Sequence, residues 1–477
     1  LQGGYSWDFA DQTFPKITDR GDTIWAYDGD YGVEIPGDGN FSANGLVAAD
    51  RSPHPHIAEV KKIYQAIHTT AVDLTTGKIR VYNEHFFKSL DNIALQWELI
   101  ADGKTVTSGA VASLDILPQQ KKVIDLQYTL PATGFRELFL NVYYKTKVVE
   151  GVVPAGHEVA KEQLPVIMQP LPELTLADKG AVNISEDDTN IIVSGSSFHI
   201  IFSRRNGLIH EYTVNGIQLI TAGYTLKPNF WRPPTDNDFG ADLPRLLLSW
   251  KRAGEGYSLL HYTVDGPTAG AVTLSMQYAL TDVFAGLCIH YTINGAGAII
   301  VEQTMQADTS TMVPMLPKFG MQWVLPETFS KMTWYGRGPE ESYWDRKDAA
   351  FIGRYEGNVK DQFHPYVRPQ ETGNKSDVRW MKITNAQGAG LMILFDTVLN
   401  LTARHFLDKD LDDGLQKQRS HSGALKERDM TVLSIDLKQM GLGCITSWGA
   451  LPMEPYRLPY GNYSYRFKII PLIHNVE

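Results

Sequence analysis

A two-residue hydrophobic period runs through most of this sequence and constrains its fold more than any other feature. Between Ile93 and Leu99 apolar and polar residues alternate, and Asp102-Gly103 follows as a hairpin turn. From about residue 175 the pattern continues to the end, with hardly any amphipathic helix. Three Asn-Gly pairs mark turns there: Asn206-Gly207, Asn215-Gly216 and Asn294-Gly295. The pattern predicts a mainly β chain made of antiparallel sheets.

The first 67 residues have a different pattern. They predict a strand from Gly4 to Phe9, a long Gly- and Asp-rich loop from Asp19 to Asn44, and a helix that begins near Pro55. This is one β/α unit. A single unit cannot cover both faces of its strand, so we expect it to belong to a larger structure.

The length of 477 residues is too great for one hydrophobic core, and the patterns divide the chain into three domains. Residues 1–67 hold the β/α unit. Residues 68–170 have the strand spacing of one small immunoglobulin-like β-sandwich, which ends in a proline-rich linker at Pro165–Pro172. Residues 171–477 predict one large antiparallel β-sandwich.

Charge and composition exclude several classes of partner. The formal net charge is −10 and no Lys/Arg cluster is present, which argues against nucleic acid. No apolar run approaches the ~20 residues of a membrane-spanning helix, so the sequence predicts a soluble chain. Cys288 and Cys444 are the only cysteines, which argues against a disulfide framework. Because Leu1 stands where Met is expected, we infer a truncated chain, and the choice between cytoplasm and periplasm stays open.

Paired carboxylates can carry acid–base or nucleophilic catalysis, but no acidic pair here stands out as catalytic. The pairs are Asp8 with Asp11, Asp236 with Asp238, and Glu340 with Glu341, and turns or loop bridges explain each of them more simply. We expect His54 and His56, which flank prolines at a helix start, to be capping or surface residues. No Ser/His/Asp triad, phosphate loop or histidine metal motif is detectable.

Six segments occur here in one order: GGYSWDFADQ, NFSANGLVAADRSPHP, WRPPTDNDFG, WYGRGPEESYWDR, HPYVRPQETGN and MGLGCITSWG. In this order they resemble the large, five-domain β-galactosidases of glycoside hydrolase family 2, along the whole chain. The resemblance implies that GGYSWDF is the eighth strand of a (β/α)8 barrel, also called a TIM barrel, and that the two sandwiches are the fourth and fifth domains. The last of them is similar in fold to galactose mutarotase.

The family hydrolyses terminal non-reducing β-D-galactose residues with retention. Its acid/base and nucleophile glutamates lie on earlier barrel strands, so the resemblance implies that this chain has no catalytic residue and is inactive alone. The implied partners are a galactoside substrate and the missing N-terminal part of the same enzyme. A homo-oligomer stays open.

Four positions match functional residues of the family. Trp7 resembles the tryptophan that forms the apolar floor of the galactosyl site, and Trp448 the one that stacks on the aglycone sugar. Phe41, through its main-chain oxygen, and Asn44, through its side chain, resemble ligands of the family's Na⁺, which in turn holds the sugar 6-hydroxyl. The ligands of the family's Mg²⁺ lie mostly outside this chain. The resemblance also suggests a cis peptide at Trp7-Asp8, whereas Pro36–Asn40 departs from the family pattern and receives no ligand role.

Two other functions compete with a galactosidase fragment. One is a stand-alone carbohydrate-binding or scaffold module, which the missing carboxylates favour. The other is a mutarotase-like sugar epimerase, which would need a His and a Glu converging on the concave face of the large sandwich. Several charged residues in the family segments have no chemical assignment, and we expect structural roles for them: Asp236, Asp238, Arg337 and Glu340.

Overall fold

The computed structural model describes residues 3–32, 37–443 and 448–473. Its contacts divide into two units. The large unit comprises Leu1–Pro55, Pro172–Lys347 and Tyr355–Glu477, and the small unit comprises His56–Leu171 and Asp348–Arg354. The helix predicted near Pro55 therefore clusters with the small unit, whereas the residues before it cluster with the large sandwich.

The small unit is a β-sandwich with one helix packed on it. A three-stranded sheet of order β3-β4-β7 and a four-stranded sheet of order β6-β5-β8-β9 enclose one apolar core. Asp102 and Gly103 have φ of 45° and 79°, the conformation that a two-residue hairpin turn requires. The elements are α1 His56–Ile63, β3 Ile67–Asp73, β4 Lys78–Asn83, β5 Ile93–Ala101, β6 Lys104–Val111, β7 Lys121–Asp125, β8 Glu137–Thr146 and β9 Glu158–Met168.

Helix α1 is held on the edge strand β9 of the small unit. Lys62 Nζ lies 2.7 Å from Glu162 Oε2 and donates to the Lys161 carbonyl, while Lys61 pairs with Glu158. The predicted linker at Pro165–Pro172 is wrong for its first residues, because Pro165 pairs with Phe139 inside β9. Proline is tolerated there because β9 is an edge strand of the described sheet.

Residues 3–55 lie on the large unit and contain little regular structure. The hairpin β1 Phe14–Ile17 and β2 Thr23–Ala26 and a 3-10 helix at Gly39–Ser42 are their regular elements among the described residues. The predicted strand Gly4–Phe9 is wrong: no described strand pairs with these residues, and the first ladder contact is a parallel bridge between Ala10 and Val47. A strand needs neighbours for its N–H and C=O groups, and residues 4–9 have none of the barrel neighbours that the resemblance implied.

The large sandwich confirms the prediction of a mainly β chain. A five-stranded sheet runs in the order β10-β11-β12-β13-β14, and the main path of a twelve-stranded sheet runs in the order β15-β20-β25-β24-β26-β19-β18-β17-β16. Strands β21, β22 and β23 branch from β24. The elements are β10 Asn183–Glu186, β11 Asn190–Ser194, β12 Phe198–Ser203, β13 Ile209–Val214, β14 Ile217–Gln218, β15 Lys227–Asn229, α2 Asp236–Gly240, α3 Leu243–Leu246, α4 Leu248–Glu255, β16 Ser258–Thr268, β17 Ala271–Leu280, β18 Ala285–Asn294, β19 Ile299–Ala307, β20 Lys318–Pro326, β21 Lys331–Gly338, β22 Phe351–Asn358, β23 Lys375–Thr384, β24 Gly390–Arg404, β25 Met430–Gln439 and β26 Tyr463–Leu472.

The central strands of the large sheet are buried on both faces, but the two faces differ in polarity. Leu401 pairs with Ile435 on the apolar face, which belongs to the main core. On the opposite face Asn400 pairs with Asp436 and Thr402 with Ser434, and all four are buried. Buried polar groups need partners, and Thr402 Oγ1 donates to Asn374 Oδ1 at 3.4 Å.

Candidate functional site

The structure brings together two of the aromatic residues singled out in the sequence. The rings of Phe41 and Trp448 have centroids 5.7 Å apart and planes inclined at 51°. Trp448 is 80% exposed and Phe41 45% exposed, so the pair presents apolar surface to solvent. A contiguous exposed apolar patch is a common feature of binding surfaces. The neighbouring positions 444–447, which include Cys444, lie outside the described residues.

Trp7 is also 80% exposed but is not part of this aromatic pair. Its neighbours Tyr5 and Phe9 are exposed as well, so the segment buries none of its aromatic rings. The Trp7–Asp8 peptide bond is cis, as the resemblance suggested. Asp8 accepts a hydrogen bond from Gln12 Nε2 at 2.6 Å.

Asn44 carries an unusual buried atom. Its side-chain Oδ1 is buried and accepts no hydrogen bond from any described residue. The next residue fixes its position: Gly45 N donates to Asp11 Oδ1 at 2.7 Å, and a Cβ at Gly45 would lie 2.2 Å from the Asp11 nitrogen. Only glycine allows that approach. A buried, unsatisfied amide oxygen is costly, and a hard cation is one partner that would satisfy it.

A buried histidine chain joins this segment to the large sandwich, and sequence reasoning missed it. His54 Nε2 lies 2.8 Å from Asp11 Oδ2, and its Nδ1 lies 2.8 Å from His364 Nε2. The prediction that His54 caps a helix or lies on the surface is therefore wrong, because it is 5% exposed. His364 belongs to HPYVRPQETGN, a segment known from sequence only as a marker. No spacing signal could link residues 310 positions apart.

Asp236 of the large sandwich makes a second contact with the NFSANGLVAADRSPHP segment, through Asn40. It accepts from Asn40 Nδ2 at 2.9 Å, from Arg368 at 2.8 Å, and pairs with Lys417 at 2.9 Å. Burial opposes its ionisation, but Arg368 and Lys417 together hold the pKa of the carboxyl below its ordinary value. The side chains of Asp30 and His421 add another contact at 2.8 Å.

The other acidic residues of the family segments make internal contacts. Asp238 is buried, pairs with Arg232 at 3.0 Å and caps helix α2 through the nitrogen of Thr235. Arg337 pairs with Asp377 at 2.6 Å, and Glu340 is exposed. These contacts agree with the structural roles expected for Asp236, Asp238 and Arg337.

Glu341 is the most strongly bound carboxylate of the WYGRGPEESYWDR segment. It receives hydrogen bonds from Arg346, Tyr366 and the Gly373 nitrogen. Burial would raise its pKa, but Arg346 and these donors lower it to about 2. Glu341 is therefore a permanent anion that joins two family segments, WYGRGPEESYWDR and HPYVRPQETGN, which is a structural function.

The described parts of the chain show neither a metal-ligand cluster nor a membrane-spanning helix. Residues 3–32, 37–443 and 448–473 contain no group of three or more His, Cys, Asp or Glu side chains that could hold a metal ion. No helix in the same ranges is long and apolar enough to cross a membrane.

Comparison with known proteins identifies the family. A family model described as β-galactosidase small chain matches residues 194–469, which is more than half of the chain. The chain belongs to the β-galactosidase small-chain family. A model for β-galactosidase domain 4 matches residues 79–167, and the TIM barrel domain of glycosyl hydrolases family 2 matches residues 1–69. The resemblance to the C-terminal part of a family 2 β-galactosidase is thereby confirmed.

Individual relatives of this chain are named β-galactosidases. The chain is 36% identical to a β-galactosidase of Priestia megaterium over 99% of its length and 28% identical to one of Pseudoalteromonas haloplanktis over 98%. It spans about 45% of the length of each of these relatives. Among solved structures, a galactose 1-epimerase from Lactobacillus acidophilus superposes with a TM-score of 0.34 and 8% identity, covering 62% of this chain and 99% of that one.

Proposed function

We propose that this chain is the sugar-binding C-terminal part of a retaining β-galactosidase, and that the complete enzyme hydrolyses terminal non-reducing β-D-galactose residues. The contact of Phe41 with Trp448 carries this proposal, because it joins an exposed aromatic of the large sandwich to the segment that holds Asn44. The two relatives above are named β-galactosidases, which supports the reaction class.

Trp7 and Trp448 bind different parts of the substrate in this proposal. Trp7 forms the apolar floor under the galactosyl ring, and Trp448 stacks on the aglycone sugar. Both side chains are 80% exposed, so both indoles are open to a ligand. Sugar C–H faces packed on an indole bury apolar area without a fixed hydrogen-bond pattern.

We propose that Asn44 Oδ1 and the main-chain oxygen of Phe41 hold a Na⁺ ion. The residues present fit such an ion, because Asn44 Oδ1 is buried without a hydrogen-bond donor and Na⁺ is a hard cation that accepts neutral oxygen ligands. The bound ion would supply a fixed positive charge for the 6-hydroxyl of galactose. A Mg²⁺ of the complete enzyme is held mainly by residues outside this chain.

Retaining hydrolysis proceeds by two displacements that need a nucleophilic carboxylate and an acid/base carboxyl. One acidic residue in each of three family segments is engaged elsewhere: Asp11 with His54, Asp236 with Arg368 and Glu341 with Arg346. We infer that the catalytic pair comes from the rest of the enzyme. The role of this chain is to position the sugar and to exclude water around it.

Activity of the isolated chain tests the inferred division of labour. The purified chain, from a host without β-galactosidase, should release no nitrophenol from nitrophenyl β-galactoside. Turnover that copurifies with the chain would contradict the proposal.

Two variants of the complete enzyme test the aromatic roles. Trp7→Ala should weaken the binding of both nitrophenyl galactoside and lactose, because both substrates contain the galactosyl ring. Trp448→Ala should weaken the binding of lactose about tenfold more than the binding of the nitrophenyl substrate. This factor corresponds to the loss of one stacking contact between the indole and the aglycone sugar. Equal losses on the two substrates would refute the assignment of Trp448 to the aglycone. Trp25→Phe, a change at another tryptophan of the first 67 residues, serves as the control.

A further inference from the structure

A cavity of about 290 Å³ lies in the large sandwich, apart from the aromatic pair described above. Strands β15 and β20, helix α4 and the turn at Asp408–Asp410 contribute its walls. Its volume is at the lower end of small-molecule sites, so it fits a ligand of one or two rings. One wall is Trp231, from a family segment for which the sequence offered no chemistry.

The lining of the cavity is electrically balanced. Three lysines line it, at positions 227, 251 and 409, and three carboxylates oppose them, at positions 255, 408 and 412. Asp412 Oδ2 lies 2.6 Å from Lys251 Nζ, and Asp408 pairs with Arg404 behind the wall. A phosphate or carboxylate site carries excess positive charge. The balance here favours an uncharged ligand.

Buried amides give the cavity fixed hydrogen-bonding groups. Gln322 is 5% exposed, and its Nε2 donates to Asp408 Oδ2 at 3.1 Å. No described residue donates to the Oε1 of Gln322, so this oxygen stays available as an acceptor. Asn229 also donates to Asp408 Oδ2, at 2.9 Å. Acceptors beside the ammonium donors of Lys227 and Lys409 suit hydroxyl groups, which both donate and accept.

Trp231 supplies the apolar part of the wall. Its Nε1 donates to Asp412 Oδ2 at 2.8 Å, and Lys251 Nζ lies 5.6 Å from its ring centroid. These contacts hold the indole in one orientation. Trp231 is 8% exposed, so it presents a small apolar edge to the cavity, and such an edge beside fixed polar groups matches the mixed C–H and O–H surface of a sugar.

We propose that this cavity is a separate saccharide-binding site that takes a neutral mono- or disaccharide. The site is complete within the large unit and needs neither Trp7 nor Trp448. It adds a binding function to the large sandwich that does not depend on hydrolysis.

Calorimetric titration of the whole chain with galactose, glucose and lactose tests the site. We expect saturable binding of at least one of them below about 50 mM. Galacturonate and glucose 6-phosphate should bind more weakly than their neutral counterparts. Absence of saturable binding by all three neutral sugars, or tighter binding of the anionic ones, would overturn the proposal.

Three variants assign the binding to the cavity. Lys227→Met should weaken it about fivefold, the value of one hydrogen bond, and Thr225→Trp, which fills the cavity from a partly exposed position, should abolish it. Gln277→Met, an exposed site on β17, is the control and should change nothing. Circular dichroism confirms that each variant is folded. If Thr225→Trp fails to fold, Lys227→Met alone decides.

The double variant Trp7→Ala/Trp448→Ala separates this site from the proposed galactoside site. It should bind the saccharide like the unaltered chain. Binding that this double variant loses, and that Lys227→Met keeps, would refute the cavity site and leave the proposed function intact.

Discussion

Asp436 lies on the polar face of the large sheet and is 0% exposed. Lys318 Nζ is 3.4 Å from its Oδ2, and neither carboxylate oxygen has a hydrogen-bond partner among the described residues. Burial raises the pKa of Asp436 from 3.8 to about 7, because Lys318 only partly offsets the loss of hydration. Asp436 is therefore protonated in the folded chain at mildly acidic pH and ionised in the unfolded chain.

The sign of the pH effect follows from the raised pKa. A carboxyl with a higher pKa in the folded state contributes stability that is complete below 3.8 and is lost as the pH rises through about 7. Between pH 5 and pH 8 the loss is about 2–3 kcal/mol by linkage. Asp436→Asn replaces the protonated carboxyl by a neutral group of the same shape. As the pH rises from 5 to 8, the free energy of unfolding of the variant should increase by about 2–3 kcal/mol relative to that of the unaltered chain.

Urea unfolding at pH 5, 6, 7 and 8, followed by tryptophan fluorescence, measures this gain. The signal reports on the large unit, since of the ten tryptophans only Trp97 lies in the small unit. Titrating groups other than Asp436 affect both proteins equally and cancel in the difference. A difference that stays constant within about 0.5 kcal/mol from pH 5 to pH 8 would refute a raised pKa at Asp436.

Three further predictions concern the family segments and the first residues. Glu341→Gln should lower the free energy of unfolding of the large unit by about 3 kcal/mol at pH 7. The reason is that the pKa of Glu341 is lowered from 4.5 to about 2, which contributes stability above pH 4.5 that is lost as the pH falls toward 2. A decrease below about 1 kcal/mol in urea unfolding would contradict this. Gly45→Ala should destabilise the large unit by about 1–3 kcal/mol, because the added Cβ has no room. The control Gly286→Ala, where the added Cβ meets open space, should cost under about 1 kcal/mol. Equal unfolding midpoints for the two variants would disprove the steric reasoning. Amides of residues 4–9 should exchange hydrogen faster than those of residues 93–99 in β5, and equal protection would show that residues 4–9 are stable without strand partners.

Local patterns in the sequence predicted much of the fold. The hairpin at Asp102-Gly103, the helix near Pro55 and the antiparallel character of residues 171–477 were all correct. Each depends on backbone preferences within a few residues, so the signal is present in any short window. The failures at residues 4–9 and at Pro165 have the opposite cause. Whether an extended segment is a strand depends on which segment lies beside it.

The candidate site divides in the same way. The family segments identified Trp7, Phe41, Asn44 and Trp448 as positions of interest, and their functional roles stay predictions. The structure added the contact of Phe41 with Trp448 and the unsatisfied oxygen of Asn44. Side-chain partnerships of this kind cannot be read from sequence spacing, because they join positions hundreds of residues apart.

The sequence by itself determined the class of the chain: strand periodicity, turns, charge and six ordered segments that identify the family. The tertiary structure alone decided which polar residues are buried and what neutralises them. Asp11 has His54, Asp236 has Arg368, and Asp436 has only a distant Lys318. The reason is that hydration and charge pairing depend on three-dimensional surroundings, and the same aspartate is solvated, paired or protonated according to the segments that fold over it.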